Sequence, residues 1–111
     1  MINWPAIINV DGDDELTYVA SHAQWINHPE WSAEEYAADD VMIDSAGRVY
    51  RMDNMVNGCV LPTATDQVIS VNQLVTLVQR HAVLNNACCI EKIGFRNIEE
   101  GLVIIASLAE E

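Results

Sequence analysis

Positive charge is scarce in this sequence and missing altogether from its first 47 residues, which hold ten Asp and Glu but no Lys or Arg. All five bases lie in residues 48–111, among seven further acids, so ten of the twelve net negative charges belong to the N-terminal portion. A field of that sign repels nucleic acid phosphates and anionic lipid. Direct binding of either is not expected, and a basic protein surface or a cation remains the natural counterpart.

Long apolar runs are also missing. The longest unbroken one covers residues 102–106, far short of the ~18 residues that a membrane span needs. The start, Met1-Ile2-Asn3-Trp4-Pro5, lacks the positive region and apolar stretch of a signal peptide. Cysteine is sparse and badly arranged for bridges: Cys59, Cys88 and Cys89 are odd in number, and the last two are adjacent. No C-x-x-C suggests redox work or zinc. A cytoplasmic location is expected. Five Gly and three Pro are too few for a low-complexity linker, and no internal repeat is present. G-x-S-x-G, the P-loop, the dinucleotide fingerprint and H-E-x-x-H are all missing, so no such motif points to an enzyme and no cofactor is implied.

What is present is ordinary globular material. Of 111 residues, 50% are apolar and 20% charged. A chain of that length buries about two thirds of its unfolded surface, so one domain over residues 1–111 is expected. Residues 4–10 read as a strand with Pro5 at its start. Asp11-Gly12-Asp13-Asp14 reads as a hairpin tip. Residues 15–20 alternate, with Leu16, Tyr18 and Ala20 on one side and Thr17 and Val19 on the other.

Ser21-His22-Ala23-Gln24 has capping-box spacing and predicts a short helix over 22–27, limited by Pro29. Ser32-Ala33-Glu34-Glu35 repeats that spacing and predicts a second helical turn to residue 38. Residues 41–44 and 48–52 form a second hairpin around Asp44-Ser45-Ala46-Gly47. After a polar loop to Gly58, residues 59–61 suggest one more short strand. Ser70-Val71-Asn72-Gln73 opens the best helix, with Val71, Leu74, Val75, Val78 and Ala82 on one face. Residues 87–93 read as a buried strand. Asn97 caps the last helix, whose stripe is Ile98, Leu102, Ile105, Ala106 and Ala109. Gly101 borders that stripe and lets this helix approach the sheet closely.

The order is therefore β-β-α-β-β-(β)-α-β-α. Hairpins dominate, so the expected fold is α+β: a two-layer domain with a mostly antiparallel sheet and the two longer helices packed on one face.

Three groups of residues carry possible chemistry. Trp25, Trp31 and Tyr36 lie in the same acidic stretch as Glu34, Glu35, Asp39 and Asp40. Aromatics supply contact area and cation–π attraction while carboxylates steer encounter. That combination suits a partner rich in Lys or Arg, so a non-enzymatic interaction or regulatory module is the leading expectation. An alternative is a ligand-binding or enzymatic pocket near Cys59, His81 and Cys88 or Cys89, which requires a thiol of lowered pKa. The other alternative is a weak divalent-cation site at residues 11–15, where Asp11, Asp13, Asp14 and Glu15 cluster without the spacing of an EF-hand. His22 and His28 are not at i, i+4 and do not suggest zinc.

Asn3-Trp4-Pro5-Ala6-Ile7-Ile8, Asp14-Glu15-Leu16-Thr17-Tyr18-Val19-Ala20, Ile43-Asp44-Ser45-Ala46-Gly47-Arg48-Val49-Tyr50 and Ala87-Cys88-Cys89-Ile90 together resemble a family of small acidic proteobacterial proteins of unknown function. The resemblance covers nearly the whole chain. It implies a compact α+β domain in a bacterial cytoplasm, and it implies no activity and no site residues.

Overall fold

The computed structural model describes residues 2–85 and 93–109. Five antiparallel strands make the main sheet. The first hairpin pairs β1 (Ala6–Asn9) with β2 (Leu16–Val19), and Gly12 in its tip has the positive φ expected there. The second pairs β3 (Val41–Asp44) with β4 (Arg48–Arg51). β3 also pairs with β1, and β7 (Thr63–Val68) pairs with β4, giving the order β2-β1-β3-β4-β7. Between β4 and β7 a separate hairpin joins β5 (Met55–Val56) to β6 (Cys59–Val60).

Two longer helices cover one face of the sheet. The first, α3 (Val71–Leu84), opens on a reciprocal capping box. The Ser70 hydroxyl accepts from Gln73 N–H, and the Gln73 side chain accepts from Ser70 N–H. The second, α4 (Ile98–Ala109), opens where the Asn97 side chain accepts from Glu100 N–H, with Glu99 and Glu100 in the first turn favoured by the helix dipole. Leu74 and Val78 of α3 and Leu102 and Ile105 of α4 meet Ile7, Ile43 and Val49 of the sheet in one core. Fully burying each such side chain stabilises by about 1.5–3 kcal/mol, an upper range given a partly collapsed unfolded chain.

Gly101 does allow a close approach, but to α3 rather than to the sheet. A Cβ there would stand 2.7 Å from Leu74 Cδ2 and 2.7 Å from the Phe95 ring. The expectation of contact with the sheet is corrected accordingly.

The opposite face carries a second core of Ala6, Ile8, Val19, Trp25, Met42, Tyr50, Met52 and Val60. Over it pass α1 (His22–Ile26) and α2 (Pro29–Ser32). The first of these is capped by Ser21, whose Oγ accepts from Gln24 N–H, but the expected box does not close: Gln24 Oε1 accepts from Ala20 N–H, one residue before the cap. The second turn differs from expectation. It starts at Pro29, where a missing N–H is harmless and φ is already helical, and Ser32 ends it. The Ser32 hydroxyl donates to His28 O instead of capping a following helix.

The sequence also carried strand signals that its apolar pattern concealed. Asn57 and Gly58 both have positive φ, the signature of a tight hairpin turn, and they join β5 to β6 within the stretch read as a polar loop. Strand β7 has no buried residue. It is held by pairing with β4 and by Arg48 donating to Thr65 O and the Thr65 hydroxyl donating to Val49 O. An edge strand that buries neither face leaves no alternation to read. The strand expected over residues 87–93 lies, except for Ile93, outside the described residues.

The turn quoted in the family resemblance is structural. Asp44 is fully buried, and its carboxylate accepts from the N–H groups of Asn3, Ala46 and Arg48 and from the Tyr50 hydroxyl. Gly47 has φ +82°, and a Cβ on it would lie 3.1 Å from Ile69 O. Burial and the Asp44 carboxylate together push the Tyr50 phenol up to about 12.

Candidate functional site

The residues singled out as a contact surface separate into two groups. Trp25 is 3% exposed and belongs to the core under α1. Asp40 is 6% exposed; one carboxylate oxygen accepts from Asp11 N–H at 2.9 Å and the other from Ala37 N–H at 2.7 Å. Both are corrected from contact residues to internal ones. A large ring is lower in free energy packed against the sheet than in water, and a buried carboxylate needs donors, here two backbone N–H groups.

Trp31, Tyr36, Glu34 and Glu35 come together. They line a depression of about 300 Å³ whose floor is Ile8, Val10 and Thr17 and whose wall includes Glu30 and one side of Asp40. Trp31 is half-buried at the margin of the second core. Its ring stacks on the His28 imidazole, centroids 4.4 Å apart and planes at 24°. His28 Nδ1 lies 2.7 Å from Glu30 Oε1. The Tyr36 hydroxyl donates to Trp31 O at 2.9 Å, which ties the loop after α2 back to the helix. Burial first, then the charges of Glu34 and Asp40, push the Tyr36 phenol up to about 12. A backbone hydrogen bond and the His28 contact hold Glu30 below the ordinary carboxylate range. Glu34 and Glu35 are exposed at the rim. Asp39, also exposed, lines a different cavity on the helix face.

This depression is the candidate site. It offers apolar floor, two aromatic rings, the two exposed carboxylates of Glu34 and Glu35, and the Glu30 carboxylate held by His28, a set that holds a cationic side chain with an aliphatic stem. Glu30, Ile8, Val10 and Thr17 were not singled out from sequence. The outer-face alternation of β1 and β2 points to the last three, but only the packing of α2 onto those strands shows that they share a hollow.

The alternative groups fare differently. His81 is buried at 3% exposure, and its Nδ1 accepts from Leu16 N–H at 2.9 Å. That bond requires the neutral ring, and burial pulls its pKa down, opposed by the charge of Glu15. Cys59 is exposed on the small hairpin, whose Val60 packs into the second core. His81 and that hairpin therefore serve opposite faces of the sheet and form no common pocket. Cys88 and Cys89 lie outside the described residues. At the 11–15 turn, Asp13 spends one oxygen on Glu15 N–H. Among the described residues no group of three or more His, Cys, Asp or Glu side chains is placed to hold a metal ion. No helix among them is long and apolar enough to cross a membrane.

Residues 4–105 match the DUF4144 family, described as a protein structure with unknown function. The chain belongs to that family. The DUF4144 fold also matches the NMR structure of a protein from Shewanella Amazonensis with a TM-score of 0.69, at 18% sequence identity, over 97% of this chain and 90% of the other. No curated protein matches this DUF4144 chain.

Proposed function

We propose that this domain is a non-enzymatic interaction module that binds a basic protein partner through the Trp31–Tyr36 depression. The observation that carries this reading is the gathering of Trp31, Tyr36, Glu34 and Glu35 with Glu30 around one hollow. It lies in the portion of the chain that has ten acids and no base. The chemistry is recognition of a Lys or Arg side chain. Its stem lies on Ile8, Val10 and the Trp31 ring, and its head meets the carboxylates. The wider negative field raises the encounter rate and makes it salt-sensitive.

The test is capture of basic proteins from a bacterial lysate on immobilised domain at low salt, repeated with Glu34→Lys/Glu35→Lys and with Trp31→Ala. The expected result is a specific basic partner released by moderate salt and lost on both variants. A partner retained equally by the charge-reversed variant overturns the reading.

A further inference from the structure

His28 is not part of the lining of the aromatic hollow, yet it touches two residues that are, Trp31 and Glu30. Its backbone is tied down from both sides. His28 N–H donates to Trp25 O at 3.4 Å, and His28 O accepts from Trp31 N–H, Ser32 N–H and the Ser32 hydroxyl. Trp25 and Ser32 are both buried, so the junction of α1 and α2 is held where it is. The ring is placed as well as the backbone, stacked on Trp31 with Nδ1 2.7 Å from Glu30 Oε1. It makes no side-chain cap to α2, so starting that helix does not account for a histidine here.

The two charge states of this ring act differently on the hollow. A neutral imidazole donates from Nδ1 to Glu30 and leaves that carboxylate its full charge. A protonated one is a cation lying on an indole and paired with a carboxylate, the same pair of contacts that a partner's lysine or arginine would seek. It cancels the charge of Glu30 and sets a positive charge behind the Trp31 ring, and both changes oppose an incoming cation. Histidine is the side chain that changes charge between pH 5 and 8. The other titratable groups of the hollow are acids: Glu30, Glu34, Glu35, Asp40 and Tyr36. Glu30 is held below the ordinary carboxylate range, and Tyr36 keeps its proton to about 12. Among the described residues the lining itself holds no base.

We propose that His28 is an internal, pH-dependent competitor at the Trp31–Tyr36 depression, one that weakens binding of a partner's lysine or arginine once it is protonated. This regulation rests on the assignment of that depression to a cationic side chain. It adds a direction: the partner is held above neutral pH and released as pH falls.

The test follows the whole domain by NMR at constant ionic strength, with acetyl-Gly-Arg-Gly-Arg-Gly-amide as the probe, at pH 8 and pH 5.5. In the parent, saturable shifts are expected at Trp31, Glu34 and Glu35 at pH 8, with affinity at least about threefold lower at pH 5.5. His28→Gln keeps a donor for Glu30 but cannot titrate, and is expected to bind nearly equally at the two pH values. His28→Lys, a permanent cation, binds weakly at both. Without the probe, the Trp31 indole N–H signal moves between the two pH values in the parent and stays in place in His28→Gln. His81 is common to all three proteins, so its own titration cancels from the comparison. Equal affinity of the parent at both pH values, an equal loss in His28→Gln, or a Trp31 signal that ignores pH overturns this inference and leaves the function reading standing. A probe that shifts nothing in the hollow at pH 8 overturns both.

Discussion

On one face of the sheet, α3 and α4 lay aliphatic stripes over Ile7, Ile43 and Val49. On the other, two one-turn helices and a small hairpin cover Ile8, Met42 and Tyr50 with far less regular structure. A long helix satisfies its own backbone and needs only its ends capped. A one-turn helix has almost no internal hydrogen bonds, so it is held by what surrounds it. Here that means Trp25 driven under α1, the Ser21 cap on Gln24 N–H, the Tyr36 hydroxyl on Trp31 O, and Asp40 on two backbone N–H groups. Cover of the second kind fits less evenly. It leaves an aromatic hollow ringed by carboxylates, whereas on the helix face a groove opens beside α3, along Gln73, Thr76 and Leu77.

The sharpest way to break this contrast is at its two tryptophans. Trp25→Ala is expected to destabilise by about 3–5 kcal/mol, the range for truncating a buried aromatic, read as a lowered urea midpoint. Trp31→Ala is expected to cost about 1 kcal/mol or less, as a margin residue, while weakening partner capture. Equal losses for the two would erase the distinction between core ring and surface ring.

On the helix face the comparable polar contact is His81. His81→Phe removes the acceptor of Leu16 N–H and leaves that buried donor unmatched, at a cost of about 1–3 kcal/mol. The same contact predicts a pH dependence. The ring is held neutral in the fold, with its pKa below the 6.5 of the free side chain. Between those two values the unfolded chain binds the extra proton, so stability falls as pH drops below about 6.5. Melting scans from pH 7.5 to 5 should show a slope in the parent that His81→Phe lessens.

A further effect is expected at high pH. Tyr36 on the aromatic face and Tyr50 in the sheet both stay protonated to about 12 in the fold, against 10.0 for the free phenol. The unfolded chain loses these protons first, so stability declines from pH 10 towards 12. Tyr36→Phe and Tyr50→Phe should each remove part of that decline, and Tyr50→Phe also leaves Asp44 one donor short. If neither variant alters the slope, the burial assigned to the two phenols is wrong.

Much of this molecule was legible from residue order because the forces involved are local. The cap at Ser21, the capping box at Ser70, the Asp-Gly turn, alternation in β2 and the stripes of α3 and α4 depend on neighbours within four positions. So the α+β class, the two hairpins, the placing of the long helices and the acidic N-terminal portion all followed from the sequence. The same local spacing at Ser32 misled, because Pro29 had already started the turn. Strand β7 was invisible because pairing with β4, and not burial, maintains it.

Only tertiary structure decided which side chains face water. Trp25 and Trp31 sit six residues apart in the same acidic stretch, and nothing in their immediate sequence separates them. One lands over Met42 and Tyr50, the other at the margin beside His28. Asp40 is drawn inward by Asp11 N–H, a donor 29 residues away, while adjacent Asp39 stays in solvent. Burial of a ring or a carboxylate depends on partners brought from distant positions, and those partners are set by how the chain crosses the sheet.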